Sequence, residues 1–199
     1  MTSITRSWTR TLSNLFVPEA TGRLSITSLV LLGCVAGLLH VHLRYPMNIP
    51  GHHGIEWMAL VMFGRLLSNH RFAAGILASG AASSYLVQSP FFNLAHDVKP
   101  ALIFLLSGIF VDVFYRFRIS RLPMIVNAAG IAALAFVTKP AVMYALYIFT
   151  GMSVGMFIKH PDYLPFVSHL VFGAVGGAGG AILAAAADLK IQKRGQTLF

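Results

Sequence analysis

Acidic residues are scarce in this chain. Asp and Glu together number 6 in 199 residues, and all charged types make up only 11%. An ordinary soluble domain carries about 25%. So few charges cannot cover a water-facing surface of this size, which argues against a soluble globule. Cysteine is scarcer: Cys34 stands alone, inside an apolar run. No intramolecular disulfide can form, and no C-x-x-C-H haem motif exists. A G-x-x-x-x-G-K-[ST] nucleotide loop, an H-E-x-x-H pair, a Ser-His-Asp order and paired hydrolytic acids are all missing. These absences leave no catalytic residue, no cofactor and no defined metal site to assign. The chain reads as a non-enzyme, and any energy source must be a partner or a gradient. The first 23 residues lack a continuous apolar stretch and an A-x-A-like cleavage site, so no signal peptide is expected.

What the chain does have is apolar mass, at 56% hydrophobic residues. The bilayer is the natural solvent for such a composition, and the length allows one domain. Lys and Arg number 15, for a formal net charge of +9. They cluster between apolar runs: Arg6, Arg10 and Arg23; Arg65 and Arg71; Arg116, Arg118 and Arg121; Lys190, Lys193 and Arg194. That is the pattern of cytoplasmic loops, not of a nucleic-acid surface. Lipid is an expected partner and nucleic acid is not.

The expected fold class is all-α: a polytopic membrane helix bundle. In residues 1–22, Trp8, Leu12 and Phe16 recur every four residues, which predicts an amphipathic interfacial segment. Residues 23–188 form the transmembrane domain, and 189–199 a basic cytoplasmic tail. Spans are expected over 24–42, 55–68, 72–88, 100–115 and 164–187. The region 122–160 holds two apolar stretches divided by Lys139-Pro140. Crossing once, it gives six spans; crossing twice, it gives seven, with termini on opposite sides. Six lets every basic cluster face one side, with both termini cytoplasmic in a multi-pass inner-membrane protein. Asp112 is an acid within a span, a functional candidate because burying it is costly; it also lies four residues before Arg116, a spacing that predicts an ion pair within one helix.

The loop from Met47 to Trp57 concentrates polar, aromatic and turn residues. Asn48, His52, His53, Glu56 and Trp57 are candidate substrate contacts, joined by His96 and Asp97 from the loop 89–99. A polar heterocycle would use Trp57 for stacking and Asn48 or Glu56 for hydrogen bonds. A metal ion would use His52 and His53. Pro50-Gly51 gives the loop a turn that lets it act as a lid. His40 and His42 end the first span on the same side. Gly33 and Gly37 form a G-x-x-x-G that invites close approach of a partner helix.

Four stretches resemble the substrate-binding S components of energy-coupling factor (ECF) transporters. The small-residue face of the first span looks like the family's coupling helix. Asn48-Ile49-Pro50-Gly51-His52-His53-Gly54 looks like its first external loop. Asp97-Val98-Lys99-Pro100 leading to Ser107-Gly108-Ile109-Phe110-Val111-Asp112 is similar to the D-P-x-K … P-G-x-x-x-D run, with Val98 and Ser107 where the family has proline. His169-Leu170-Val171-Phe172-Gly173 opens a stretch similar to the last helix. The resemblance implies capture of a vitamin-like molecule or metal ion from outside. It also implies assembly with a transmembrane coupling subunit and ATPase subunits that consume the ATP. A non-catalytic accessory subunit of a membrane enzyme complex is a second reading of the same helices, and a small channel or secondary transporter a third.

Overall fold

The computed structural model describes residues 24–42, 49–88, 98–151, 157 and 163–196. The described residues form helices and turns, with no strand among them. The helices are α1 (Ile26–His42), α2 (Gly54–Leu66), α3 (Ala73–Gln88), α4 (Lys99–Tyr115), α5 (Met124–Thr150) and α6 (Tyr163–Gln196). Two stretches, Met124–Thr150 and Tyr163–Asp188, are long and apolar enough to cross a membrane. At 13 residues, α2 is about 20 Å long, short of the roughly 30 Å hydrocarbon core of a bilayer.

Consecutive helices run in opposite directions. The start of α1 is tied to the end of α2: the Leu24 N–H donates to the Leu67 carbonyl (3.0 Å) and the Ser68 hydroxyl to the Leu24 carbonyl (3.2 Å). Asp112, late in α4, bonds the first turn of α3. Asn127 clamps the turn before α5, accepting the Ile119 N–H and donating to the Ile119 and Leu122 carbonyls. The turns 67–72 and 116–123 therefore share one end of the bundle, here the basic end. The 49–53 turn lies at the other, the turn end.

Large apolar side chains face outward on five of the six helices, among them Leu31, Val35, Val87, Ile109, Leu134, Phe149 and Val175. Small ones fill the inside, including Ala74, Ala78, Ala81, Ala132 and Ala181. Small residues let backbones touch. A side chain at Gly33 would run into the Leu77 carbonyl, one at Gly37 would sit 2.6 Å from the Ala81 carbonyl, and one at Gly80 would meet the Val30 carbonyl. The G-x-x-x-G face that invites a partner helix is thus buried against α3 of the same chain. On the other side of the core, Gly176 and Gly180 lie on α2, and Gly173 and Gly177 on α5.

Three sequence expectations change here. The Lys139-Pro140 division disappears, because α5 runs unbroken from Met124 to Thr150 with Pro140 inside. Proline removes one hydrogen bond, to the Phe136 carbonyl, and bends a helix without having to end it. Asp112 does not take Arg116 as its ion-pair partner: its carboxylate meets the Arg65 Nε at 3.1 Å. Arg65, counted with the basic loop residues, is instead buried, donates to the Ser68 carbonyl (3.2 Å) and lies 3.9 Å over the Tyr115 ring. The third concerns the basic tail, whose first part continues α6 through Gln196. The amphipathic segment 1–22 lies outside the described residues.

Candidate functional site

The turn end of the bundle gathers side chains from all six described helices. Gly51 has φ +82°, a conformation that glycine adopts without steric cost. This lets residues 49–53 fold back tightly, with the Gly54 N–H donating to the Gly51 carbonyl at 2.8 Å. His52 Nδ1 lies 2.8 Å from the Ile49 carbonyl. Two glycines then seat the turn on the bundle. A Cβ on Gly51 would stand 2.7 Å from His169 Nδ1, and one on Gly54 would enter the Phe136 ring.

Beneath the turn lies a linked set of rings. The His52 and His53 rings sit 3.8 Å apart, and His53 meets His40 of α1 edge-on at 5.2 Å. His40 in turn packs edge-on against Phe104 of α4 at 4.9 Å. Trp57 of α2 and Tyr85 of α3 pack on the same Phe104, at 4.7 and 6.2 Å. Trp57, Tyr85 and Phe104 are all buried. The indole N–H of Trp57 donates to the Ser107 hydroxyl (2.9 Å), which itself donates to the Phe104 carbonyl (2.9 Å). Glu56 lies one turn from His53, its Oε2 3.9 Å from His53 Nδ1.

His169 of α6 is the buried polar group of the set, with no exposed surface. Its ring stacks on Phe136 at 4.6 Å. Nδ1 lies 2.6 Å from the Pro165 carbonyl. A carbonyl oxygen only accepts, so Nδ1 carries the proton and Nε2 holds a lone pair. That Nε2 is buried and has no hydrogen-bond partner among the described residues. An acceptor left bare in an apolar interior costs free energy, and such groups concentrate where a ligand completes them. Next to this region, between α4 and α5, Ser107, Thr138 and Lys139 border a space of about 20 Å³, enough for one water molecule.

Of the residues singled out in the sequence, His52, His53, Glu56 and Trp57 come together here. Asn48, His96 and Asp97 lie outside the described residues. Trp57 is buried, packed under the turn rather than presented as an open stacking platform. Tyr85, Phe104, Phe136 and His169 were not singled out as contacts. His169 carried a signal, since an ionisable residue in an apolar helix is a functional candidate by default. No group of three or more His, Cys, Asp or Glu side chains placed to hold a metal ion occurs among the described residues. Comparison with protein-family models, curated proteins and solved structures finds no match to this chain.

Proposed function

We propose that this chain is a six-span membrane subunit that captures a small polar, ring-bearing solute at the turn end, as the S component of an ECF-type micronutrient transporter. One observation carries the reading: imidazole and aromatic side chains from all six helices converge under a glycine-hinged turn. A binding site in a greasy bundle needs mostly apolar walls with a few convergent polar groups. Trp57, Tyr85, Phe104 and Phe136 supply rings, His169 Nε2 a bare acceptor, and His52, His53 and Glu56 the polar rim. The turn lies closed over these groups, so a solute enters when residues 49–53 lift at Pro50-Gly51.

Large apolar residues outside and small ones inside suit lipid as the solvent, because packing rather than hydrophobic burial joins helices there. Arg71, Arg116, Arg118 and Arg121 share the basic end, which faces the cytoplasm under the positive-inside rule. The turn end then faces outward, and both chain ends lie inside. Energy comes from a transmembrane coupling subunit and ATPase subunits, as the resemblance implies.

The test is mass spectrometry of ligand released from gently purified chain, paired with uptake by the assembled transporter. A heterocyclic solute should co-purify, and the pair His53→Ala with Trp57→Ala should abolish uptake. Chelator treatment should leave capture intact; loss would mean a metal cargo. Unchanged uptake in the double variant would place the pocket elsewhere. Stoichiometric recovery with a large oxidoreductase, and no ligand, would favour the accessory-subunit reading.

A further inference from the structure

A second feature lies at the opposite end, on the outer surface. Between α3 and α4 runs a groove of about 420 Å³. Gly75, Ile76 and Ser79 form one wall and Leu105, Ile109 and Val113 the other. Along α4 the lining extends from Leu105 to Arg116, about 16 Å at 1.5 Å per residue. Its walls are almost wholly apolar, and its mouth at the basic end is not. There Phe72 is flanked by two guanidiniums, Arg71 at 4.5 Å and Arg116 at 5.9 Å from the ring centroid. Both arginines are exposed.

The carboxylate at this mouth does not neutralise them. Asp112 is already engaged by Arg65 at 3.1 Å and by the N–H groups of Ala74 (3.2 Å) and Gly75 (2.8 Å). The mouth therefore carries surplus positive charge, held over one aromatic ring, at the head of an apolar channel. Guanidinium groups match phosphate oxygens in geometry as well as charge.

We propose that this groove seats an acyl chain of an anionic phospholipid of the cytoplasmic leaflet, with the lipid phosphate held between Arg71 and Arg116. The inference rests on the membrane reading above and not on the transport reading. Charge complementarity selects the occupant. A neutral partner helix would fill the apolar channel but leave both guanidiniums unanswered, whereas an anionic lipid answers the channel and the charges together. Basic pockets between helices on the cytoplasmic side recognise lipid headgroups in this way.

The experiment compares four proteins in mild detergent: the native chain, R71Q/R116Q, S79F and R118Q/R121Q. Retained lipid is measured by native mass spectrometry, and thermal midpoints are measured with added phosphatidylglycerol or phosphatidylcholine. The native chain should keep phosphatidylglycerol and be stabilised by it more than by phosphatidylcholine. R71Q/R116Q should bind it about 5- to 30-fold more weakly. S79F, which fills the channel while sparing both arginines, should also lose it. R118Q/R121Q removes the same charge from the neighbouring turn and should keep it. Equal response to the two lipids, or equal loss in R118Q/R121Q, overturns the site. So does a native chain free of lipid whose partner protein is displaced by S79F, since the occupant is then a helix. Release of the chain from membranes by alkaline carbonate overturns the membrane reading and the site together; lipid indifference in a chain that resists carbonate overturns the site alone.

Discussion

Gly51 and Trp57 do the local work of closing the turn end. Gly51 combines a left-handed backbone with contact against His169, so alanine there meets strain and overlap at once. Gly51→Ala should lower stability by about 1–3 kcal/mol and lift the turn. A thermal midpoint equal to that of the native chain would show that residues 49–53 are not seated on His169. At Trp57 the ring and the N–H are separable. Trp57→Phe keeps a ring against Phe104 but gives up the bond to Ser107, at about 1 kcal/mol. Trp57→Ala loses the ring as well, at about 3–5 kcal/mol. A double-mutant cycle of Trp57→Phe with Ser107→Ala should show clear coupling, and additive losses would mean the bond contributes nothing.

At the scale of elements, α1 and α3 meet along a seam of glycines. Gly33, Gly37 and Gly80 let two parallel helices touch backbone to backbone, and the Cys34 thiol reaches the Gly80 carbonyl at 3.6 Å. Gly33→Leu should therefore cost the fold itself, at least the 1–3 kcal/mol of ordinary overpacking (roughly) and more where backbone cannot yield. The check is monodispersity and thermal midpoint of the purified chain alone. A native-like midpoint combined with lost partner recovery would return these glycines to an external interface. Elsewhere the helix ends are fixed by side chains that reach across elements: Asp112 holds the start of α3, and Asn127 holds the turn before α5.

At the scale of the whole molecule, the six described helices alternate in direction and put residue 24 and the far part of α6 at the basic end. In the proposed orientation that end is cytoplasmic. A cysteine placed at Gln196, with Cys34 replaced by serine, should resist an impermeant thiol reagent added to intact cells. A cysteine at His52 should react with it. Labelling at Gln196 without labelling at His52 would invert the orientation, and labelling at both would refute an even number of crossings.

The sequence by itself determined the helical class, the boundaries of the first four helices to within a few residues, the basic end and the polar loop around His52, His53 and Trp57. Each is a local property: apolar run length, charge placement and turn chemistry are written in contiguous residues. Only the tertiary structure decided who meets whom. The Gly33/Gly37 spacing said that a helix would come close, but the choice of α3 rests on complementary small residues 40 or more positions away. The i,i+4 spacing offered Arg116 to Asp112, yet Arg65 takes the carboxylate, because the packing of α2 beside α4 brings its guanidinium to 3.1 Å, a proximity that no local spacing records. Pro140 read as a break, but α5 runs through it, because proline removes a single hydrogen bond and bends a helix without having to end it. His169 entered the sequence reading only as the first residue of the stretch that resembles the family's last helix. It became the floor of the candidate site because α6 packs alongside α2, and that packing places its ring directly under Gly51.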